Sequence, residues 1–294
     1  MTDPVPPARV FPAARQEAEA ANQPTPSPQT GHGAYRLAFQ DLDFLLREDL
    51  RPVRFQLELL KPELLLDEAR IGSTFVFYGS ARIPEPDKAD ALIAAASTDR
   101  QRHVAERLKA KSRYYDEARR LARLASRCDP DENGLRHFVV CSGGGPSIME
   151  AANRGACDEG KESVGLNIVL PHEQMPNPYV TPSLSFQFHY FALRKMHFLL
   201  RARAVAVFPG GFGTFDEMFE LLTLVQTGKV KPLPILLFGR EFWERVVDFD
   251  ALVEEGVVSE QDLGLFKFVD SAEEAWGEVC RTWGVAENGA PRGA

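Results

Sequence analysis

The chain has 294 residues, with 34 Lys+Arg against 42 Asp+Glu for a formal net charge of −8, and 44% hydrophobic against 26% charged residues. This is ordinary usage for a soluble globular protein. No apolar run approaches the roughly 20 residues that cross a bilayer, and the acidic balance disfavours a dedicated nucleic-acid binder, which carries a basic excess or stripe. Met1–Thr30 holds no apolar core of a signal peptide. Cys128, Cys141, Cys157 and Cys280 are scattered without a CxxC pair. Neither a disulfide framework nor a structural zinc site is expected, and a cytoplasmic location fits.

Residues 1–33 are rich in Pro, Ala, Gln and Thr without apolar periodicity, the composition of a disordered tail. In residues 34–70, Leu37, Phe39, Leu42, Leu45, Leu46, Leu50 and Phe55 recur mostly at steps of three and four. The spacing predicts a helical prefix, broken by Pro52 and Pro62. From residue 71 to 285 the chain alternates. STFVFYGS (73–80) predicts a strand and residues 86–127 a helix; HFVVCSGGG (137–145) and PSIMEAANRGACDEG (146–160) repeat the pair. SVGLNIVLP (163–171) is a third strand, followed by a proline-rich loop and a helix over 191–202. AVAVFPGGFG (204–213) with helix 214–228, LPILLFG (233–239) with the helix after it, and FKFVDS (266–271) with a last helix complete the series. Residues 286–294 are expected to be a flexible C-terminus. Short continuous apolar strands alternating with helices predict a doubly wound, Rossmann-like α/β domain with a parallel sheet covered on both faces.

In such sheets ligands bind beyond the carboxyl ends of the strands, where the strand order reverses. Four predicted strands end in residues that serve this purpose: Gly79-Ser80, Ser142 to Gly145, Pro171-His172-Glu173, and Pro209 to Thr214. The two glycine loops each lead into a helix, where unpaired backbone N–H groups and the helix dipole favour an anion. Neither loop is G-x-G-x-x-G or a Walker A loop. A phosphate-bearing ligand is implied, but no generic dinucleotide or ATP, and no metal or redox cofactor. The histidines have no metal-ligand spacing. Ser147-x-x-Glu150 and Thr214-x-x-Glu217 also match a capping box. Glu217 stands near a helix N-terminus, which predicts an ionised carboxylate. Arg194 and Lys195 interrupt an apolar helix, so they form either a structural ion pair or an anion contact.

The segment Phe208-Pro-Gly-Gly-Phe-Gly-Thr-Phe-Asp-Glu217, preceded by Arg194-Lys195, resembles the Lonely Guy family of cytokinin-activating phosphoribohydrolases, many once labelled lysine decarboxylases. Tyr78-Gly-Ser-Ala-Arg82 and Ser142-Gly-Gly-Gly-Pro146 resemble two further landmarks. Leu170-Pro-His-Glu-Gln-Met-Pro-Asn177 and Leu224-Val-Gln-Thr-Gly-Lys229 are similar to a longer bacterial branch of nucleotide nucleosidases. The resemblance implies a hydrolase that cleaves the N-glycosidic bond of a nucleoside 5′-monophosphate, cytokinin riboside monophosphates included, to free base and ribose 5-phosphate. It makes Arg194 and Glu217 catalytic. It places Ser80, Gly144, Glu173, Lys195, Gly210, Gly211, Phe212, Gly213, Thr214, Phe215, Asp216 and Thr223 at the substrate. Phe212, Phe215 and Met149 are candidates for the base pocket. A homo-oligomer is expected, with no nucleic-acid or membrane partner. Ser147 stands where relatives usually have glycine, Asp216 where many have glutamate, and His197 where many have methionine. The alternative on the same fold is a non-catalytic nucleotide or cofactor carrier, which has no need of both Arg194 and Glu217.

Overall fold

The computed structural model describes residues 11–22, 25–171 and 175–285. Glu173 and residues 286–294 lie outside the described residues, as do parts of the N-terminal tail. The chain divides into two compact units, Met1–Glu58 and Leu59–Ala294.

In the first unit, α1 (Ala14–Ala21) falls within the stretch expected to lack regular structure and buries none of its residues. The single turn α2 (Leu42–Leu45) starts at Asp41, whose carboxylate accepts from the Phe44 N–H at 3.2 Å. Arg54 donates to the Leu45 and Arg47 carbonyls at 2.9 and 2.6 Å, tying this turn back to the next helix. That helix, α3 (Arg51–Glu68), corrects the expected break at the prolines. Pro62 lies inside it and is buried. Pro52 lies in its first turn, where the missing N–H has no intrahelical partner to lose.

The second unit carries a seven-stranded sheet in the order β4-β3-β2-β1-β5-β6-β7, with every pairing parallel. Strand β1 (Thr74–Tyr78) is buried throughout, as a strand covered on both faces must be. The segment 86–127 is three helices rather than one: α4 (Pro86–Ala94), α5 (Asp99–Lys109) and α6 (Arg113–Ser126). Thr98 opens α5 as a capping box with Gln101, which the compositional reading of a long polar helix passed over. In α6, Tyr114, Ala118, Leu121, Ala122 and Ala125 fall on one face and are buried. Next come β2 (Val139–Ser142), α7 (Ile148–Asp158) and β3 (Val164–Ile168).

Strand β4 (Ser185–Phe188) is the element that the sequence pattern missed. It is short, sits at the sheet edge, and follows the prolines of the 176–182 segment. Its alternation is plain in the fold, with Phe186 and Phe188 buried and Ser185 and Gln187 more open. It delivers the chain into α8 (Phe191–Leu200), which returns to β5 (Ala202–Val207) beside β1. Then α9 (Phe212–Gln226), β6 (Ile235–Phe238), α10 (Arg240–Val246), α11 (Phe249–Glu254), β7 (Lys267–Val269) and α12 (Ala272–Trp283) close the unit. Asp248 caps α11 through the Ala251 N–H at 3.0 Å, which divides the single helix expected after β6. The core is aromatic around the central strands: Phe77, Phe208 and Phe238 stack across β1, β5 and β6, and Phe138 meets Trp276 edge-on.

The strand order reverses between β1 and β5. The carboxyl ends of these two strands carry Gly79-Ser80 and Pro209-Gly210-Gly211, so the topology places both loops at the one crevice where an open α/β sheet binds ligands.

Candidate active site

A cavity of about 880 Å³ opens on that crevice, toward the upper end of the range for small-molecule sites. The Ser80 N–H donates to the Pro209 carbonyl at 3.1 Å and joins the two loops. Helix α9 begins at Phe212 with Gly211 as its N-cap, so Thr214 is the third helical residue and not a cap. The capping-box reading of Thr214 and Glu217 is thereby overturned. At Gly210, a side-chain carbon would run into the side chain of Thr214, which folds back over the loop. The N–H groups of Phe212, Gly213 and Thr214 have no acceptor inside the helix. All three residues line the cavity, together with Ser80, Gly210, Gly211, Phe215 and Met149. The arrangement is an anion cradle at the positive end of a four-turn helix. Phe212 is 97% exposed and stands at the rim rather than in a pocket.

Arg194 and Glu217 meet at the cavity wall, with Arg194 Nη1 donating to Glu217 Oε1 at 3.2 Å. The guanidinium is held from three sides. Its Nε donates to the Leu166 carbonyl of β3 at 2.7 Å, its Cζ lies 4.9 Å from the ring centre of Phe198, and Nη2 presses so closely over Gly143 that a side-chain carbon there would lie 2.6 Å from it. Glycine at 143 is what lets the arginine pass. Only 15% of the Glu217 side chain is exposed. Burial pushes its carboxyl up from the ordinary 4.5 to about 7, with the Arg194 guanidinium opposing the rise and the Asp216 carboxylate adding to it. The expectation of a fully ionised group at neutral pH is therefore corrected. Glu217 is the sixth residue of α9, past the turn over which the helix dipole acts, and loss of hydration outweighs the cation beside it.

The second glycine loop is built differently from the sequence expectation. Ser147 caps nothing. Its hydroxyl donates to the Ile83 carbonyl, and Glu150 accepts from the Tyr115 hydroxyl at 3.1 Å. Ser147 sits at φ 68°, a left-handed conformation that glycine adopts more readily. Gly144, at φ 71°, is covered by Asn167 and does not line the cavity. A buried amide network holds the loop. Asn177 donates to the Gly145 carbonyl and to Asn153 Oδ1 at 3.0 and 2.9 Å, and Ser142 donates to the same Asn153 oxygen at 2.7 Å. Replacing Gly144 by alanine combines left-handed strain with a clash against Asn167. We expect Gly144→Ala to lower unfolding free energy by about 1–3 kcal/mol in urea titration; unchanged stability would show that the loop adapts freely.

Of the remaining sequence candidates, Lys195 and Asp216 are brought to each other and not to the cavity. Lys195 Nζ lies 3.0 Å from Asp216 Oδ1 and 2.9 Å from Glu220 Oε2. Thr223 is exposed, and its hydroxyl donates to the Phe219 carbonyl at 2.8 Å. Lys195 is thus the structural ion pair, while Arg194 is both paired and facing the cavity. Sequence reasoning missed Asn167 of β3 and a wall made by Leu108, Lys111, Phe242 and Val246. It quoted Arg82 in a motif without carrying it to the site, where it lines the cavity. Among the described residues no three His, Cys, Asp or Glu side chains converge to hold a metal ion.

Residues 149–279 match a family model described as possible lysine decarboxylase. A pyrimidine/purine nucleotide 5′-monophosphate nucleosidase of Escherichia coli K12 is 30% identical over 135 residues, covering 42% of this chain and 29% of that protein. A cytokinin riboside 5′-monophosphate phosphoribohydrolase of Arabidopsis thaliana is 28% identical over 153 residues, 51% of this chain and 67% of that protein. The resemblance to the Lonely Guy family is borne out. A protein of Oryza sativa subsp. japonica named as a cytokinin riboside 5′-monophosphate phosphoribohydrolase is 27% identical over 139 residues, 46% of this chain and 59% of that protein. The match leaves most of the bacterial relative's length without a counterpart, since the chain spans only 29% of it. Within the matched region lie both Arg194 and Glu217 and the whole cradle between β5 and α9, while Ser80, Arg82, Leu108 and Lys111 of the cavity lie before it.

Proposed function

We propose that the chain hydrolyses the N-glycosidic bond of nucleoside 5′-monophosphates, releasing the free base and ribose 5-phosphate. The observation that carries this reading is the Arg194–Glu217 pair opening onto the same cavity as the N-terminus of α9. The cradle from Gly210 to Thr214 binds the 5′-phosphate through backbone N–H groups. The ribose then lies across the glycine loops with its anomeric carbon toward Glu217. The bond from that carbon to the base nitrogen lengthens first and leaves a ribosyl cation-like centre. The Glu217 carboxylate stabilises that centre and takes a proton from the attacking water; the water oxygen bonds to the anomeric carbon, the departing base nitrogen takes up one proton from solvent, and Glu217 returns its proton to solvent. Arg194 fixes the carboxylate and favours its ionised form. The relatives named as acting on nucleotide monophosphates support the substrate class. The half-exposed apolar side chains Phe191, Met196 and Leu200 on α8 support a homo-oligomer, and the free cysteines support a reducing, cytoplasmic location.

The test is incubation with purine and pyrimidine nucleoside monophosphates and detection of base and ribose 5-phosphate. The titration of Glu217 adds a sign. Its ionised form is the working one, so kcat/KM rises about tenfold per pH step below the value near 7 and levels off above it. A rate that falls as pH rises through 7 would mean that the protonated carboxyl acts instead, as an acid on the leaving base.

A further inference from the structure

The cavity is longer than a monophosphate requires. It runs along the carboxyl rim of the sheet from Asn167 and Ile168 of β3 to Phe242 and Val246 of α10, which follows β6. Arg194 is pinned to β3 at one end. The phosphate cradle lies over β5, and the strand order puts β6 on the far side of it from β1, β2 and β3. A nucleotide with its phosphate in the cradle and its ribose toward Glu217 therefore leaves the β6 end empty.

That end is cationic and part apolar. Lys111 forms its wall with Phe242, Leu108 and Val246. Lys111 Nζ donates to the Arg107 carbonyl at 3.0 Å and lies 6.0 Å from the centre of the Phe242 ring, which fixes the stem and leaves further ammonium protons unused. Arg82, on the loop after β1, lines the same cavity. Among the described residues no carboxylate pairs with Lys111 or Arg82, whereas Arg194 and Lys195 are both paired. Burial pulls the Lys111 ammonium down from its ordinary value, and the charges of Arg107 and Arg245 pull it the same way, against Glu241. A half-buried ammonium with two cationic neighbours and no carboxylate within ion-pair distance is short of an anion.

We propose that this second lobe holds the β-phosphate of a nucleoside 5′-diphosphate, with Lys111 as its principal contact and Arg82 between the two phosphates, so that diphosphates are substrates alongside monophosphates. The inference rests on the nucleotide reading above. The bonds changed are the same: the anomeric carbon loses the base and gains the water oxygen, the base leaves with a proton, and the diphosphate stays whole in the product, ribose 5-diphosphate.

The experiment compares AMP with ADP and CMP with CDP, by base release from the wild type and by calorimetric binding to Glu217→Gln. Diphosphates are expected to bind at least as tightly as monophosphates and to release base. In Lys111→Met the preference for diphosphate over monophosphate falls by about 10- to 100-fold, the worth of one charge-assisted hydrogen bond, and Lys111→Arg restores most of it. A monophosphate that is cleaved while the diphosphate binds more than tenfold weaker, or an unaltered preference in Lys111→Met, overturns this inference and leaves the monophosphate reading intact. Absence of base release from every nucleotide overturns both.

Discussion

Glu217→Gln is expected to lose about 10²–10⁴ in kcat, the contribution of a positioned acid–base group, while nucleotide affinity stays within a fewfold. The substitution keeps the shape of the side chain and removes only the negative charge and its proton traffic. Binding survives because the cradle from Gly210 to Thr214 works through backbone N–H groups that the change does not touch. The same variant carries a second signature in stability. Glu217 binds its proton more tightly in the fold, near 7, than the ordinary 4.5 of an open chain. Between those values the folded state holds more protons than the unfolded one, so stability falls as pH rises through this window, by about 3 kcal/mol in total. In Glu217→Gln that slope should disappear from urea unfolding curves taken at pH 5 and pH 8. A variant that keeps both its turnover and its slope would mean that the carboxyl is neither buried as described nor part of the chemistry.

Arg194→Met has the next largest expected effect, and it should move the pH profile. Among the described residues the guanidinium makes the one hydrogen bond to the Glu217 carboxylate, and it also serves the Leu166 carbonyl. A hydrogen bond to a charged group is worth about 1.5–3 kcal/mol, or 10- to 100-fold in rate at pH 7. Without the guanidinium, only the weaker charge of Lys195 opposes the effect of burial on Glu217, so the ascending limb shifts to higher pH and part of the lost activity returns in alkaline buffer. Arg194→Lys separates charge from geometry. It retains a cation, which holds the limb near 7, but lacks the fork that reaches Leu166 and Glu217 together, so kcat stays low. If Arg194→Met lowers the rate equally at every pH, the arginine acts on the substrate and not through Glu217.

The strand ends and the central side-chain pair were legible in the sequence to a considerable depth. The apolar runs ending in glycine gave the strand ends. The joint occurrence of Arg194 and Glu217 around a glycine loop pointed to a pair that the fold brings to 3.2 Å. Three things were not legible, each for a stated cause. Strand β4 has four residues with a weak alternation after a run of prolines, and it exists because β3 offers it an edge to pair with. The raised proton affinity of Glu217 depends on how deeply its neighbours bury it, whereas local position on the helix suggested the opposite direction. The wall from Leu108, Lys111, Phe242 and Val246 comes from the end of α5, the turn after it, and α10, far apart in the chain, and nothing in the local pattern of either segment announces that they share a cavity. Lys195 and Asp216 show the converse: adjacent to Arg194 and Glu217 in sequence, they stay off the cavity and pair with each other, because residues one step apart on a helix do not share a face.

The most direct measurement is a time course of wild type and Glu217→Gln with a saturating nucleoside monophosphate, following base and ribose 5-phosphate together. Equal molar amounts of the two products from the wild type, and binding without release from the variant, are the predicted result. Tight binding by the wild type with neither product formed would contradict the account and make this crevice a nucleotide carrier's.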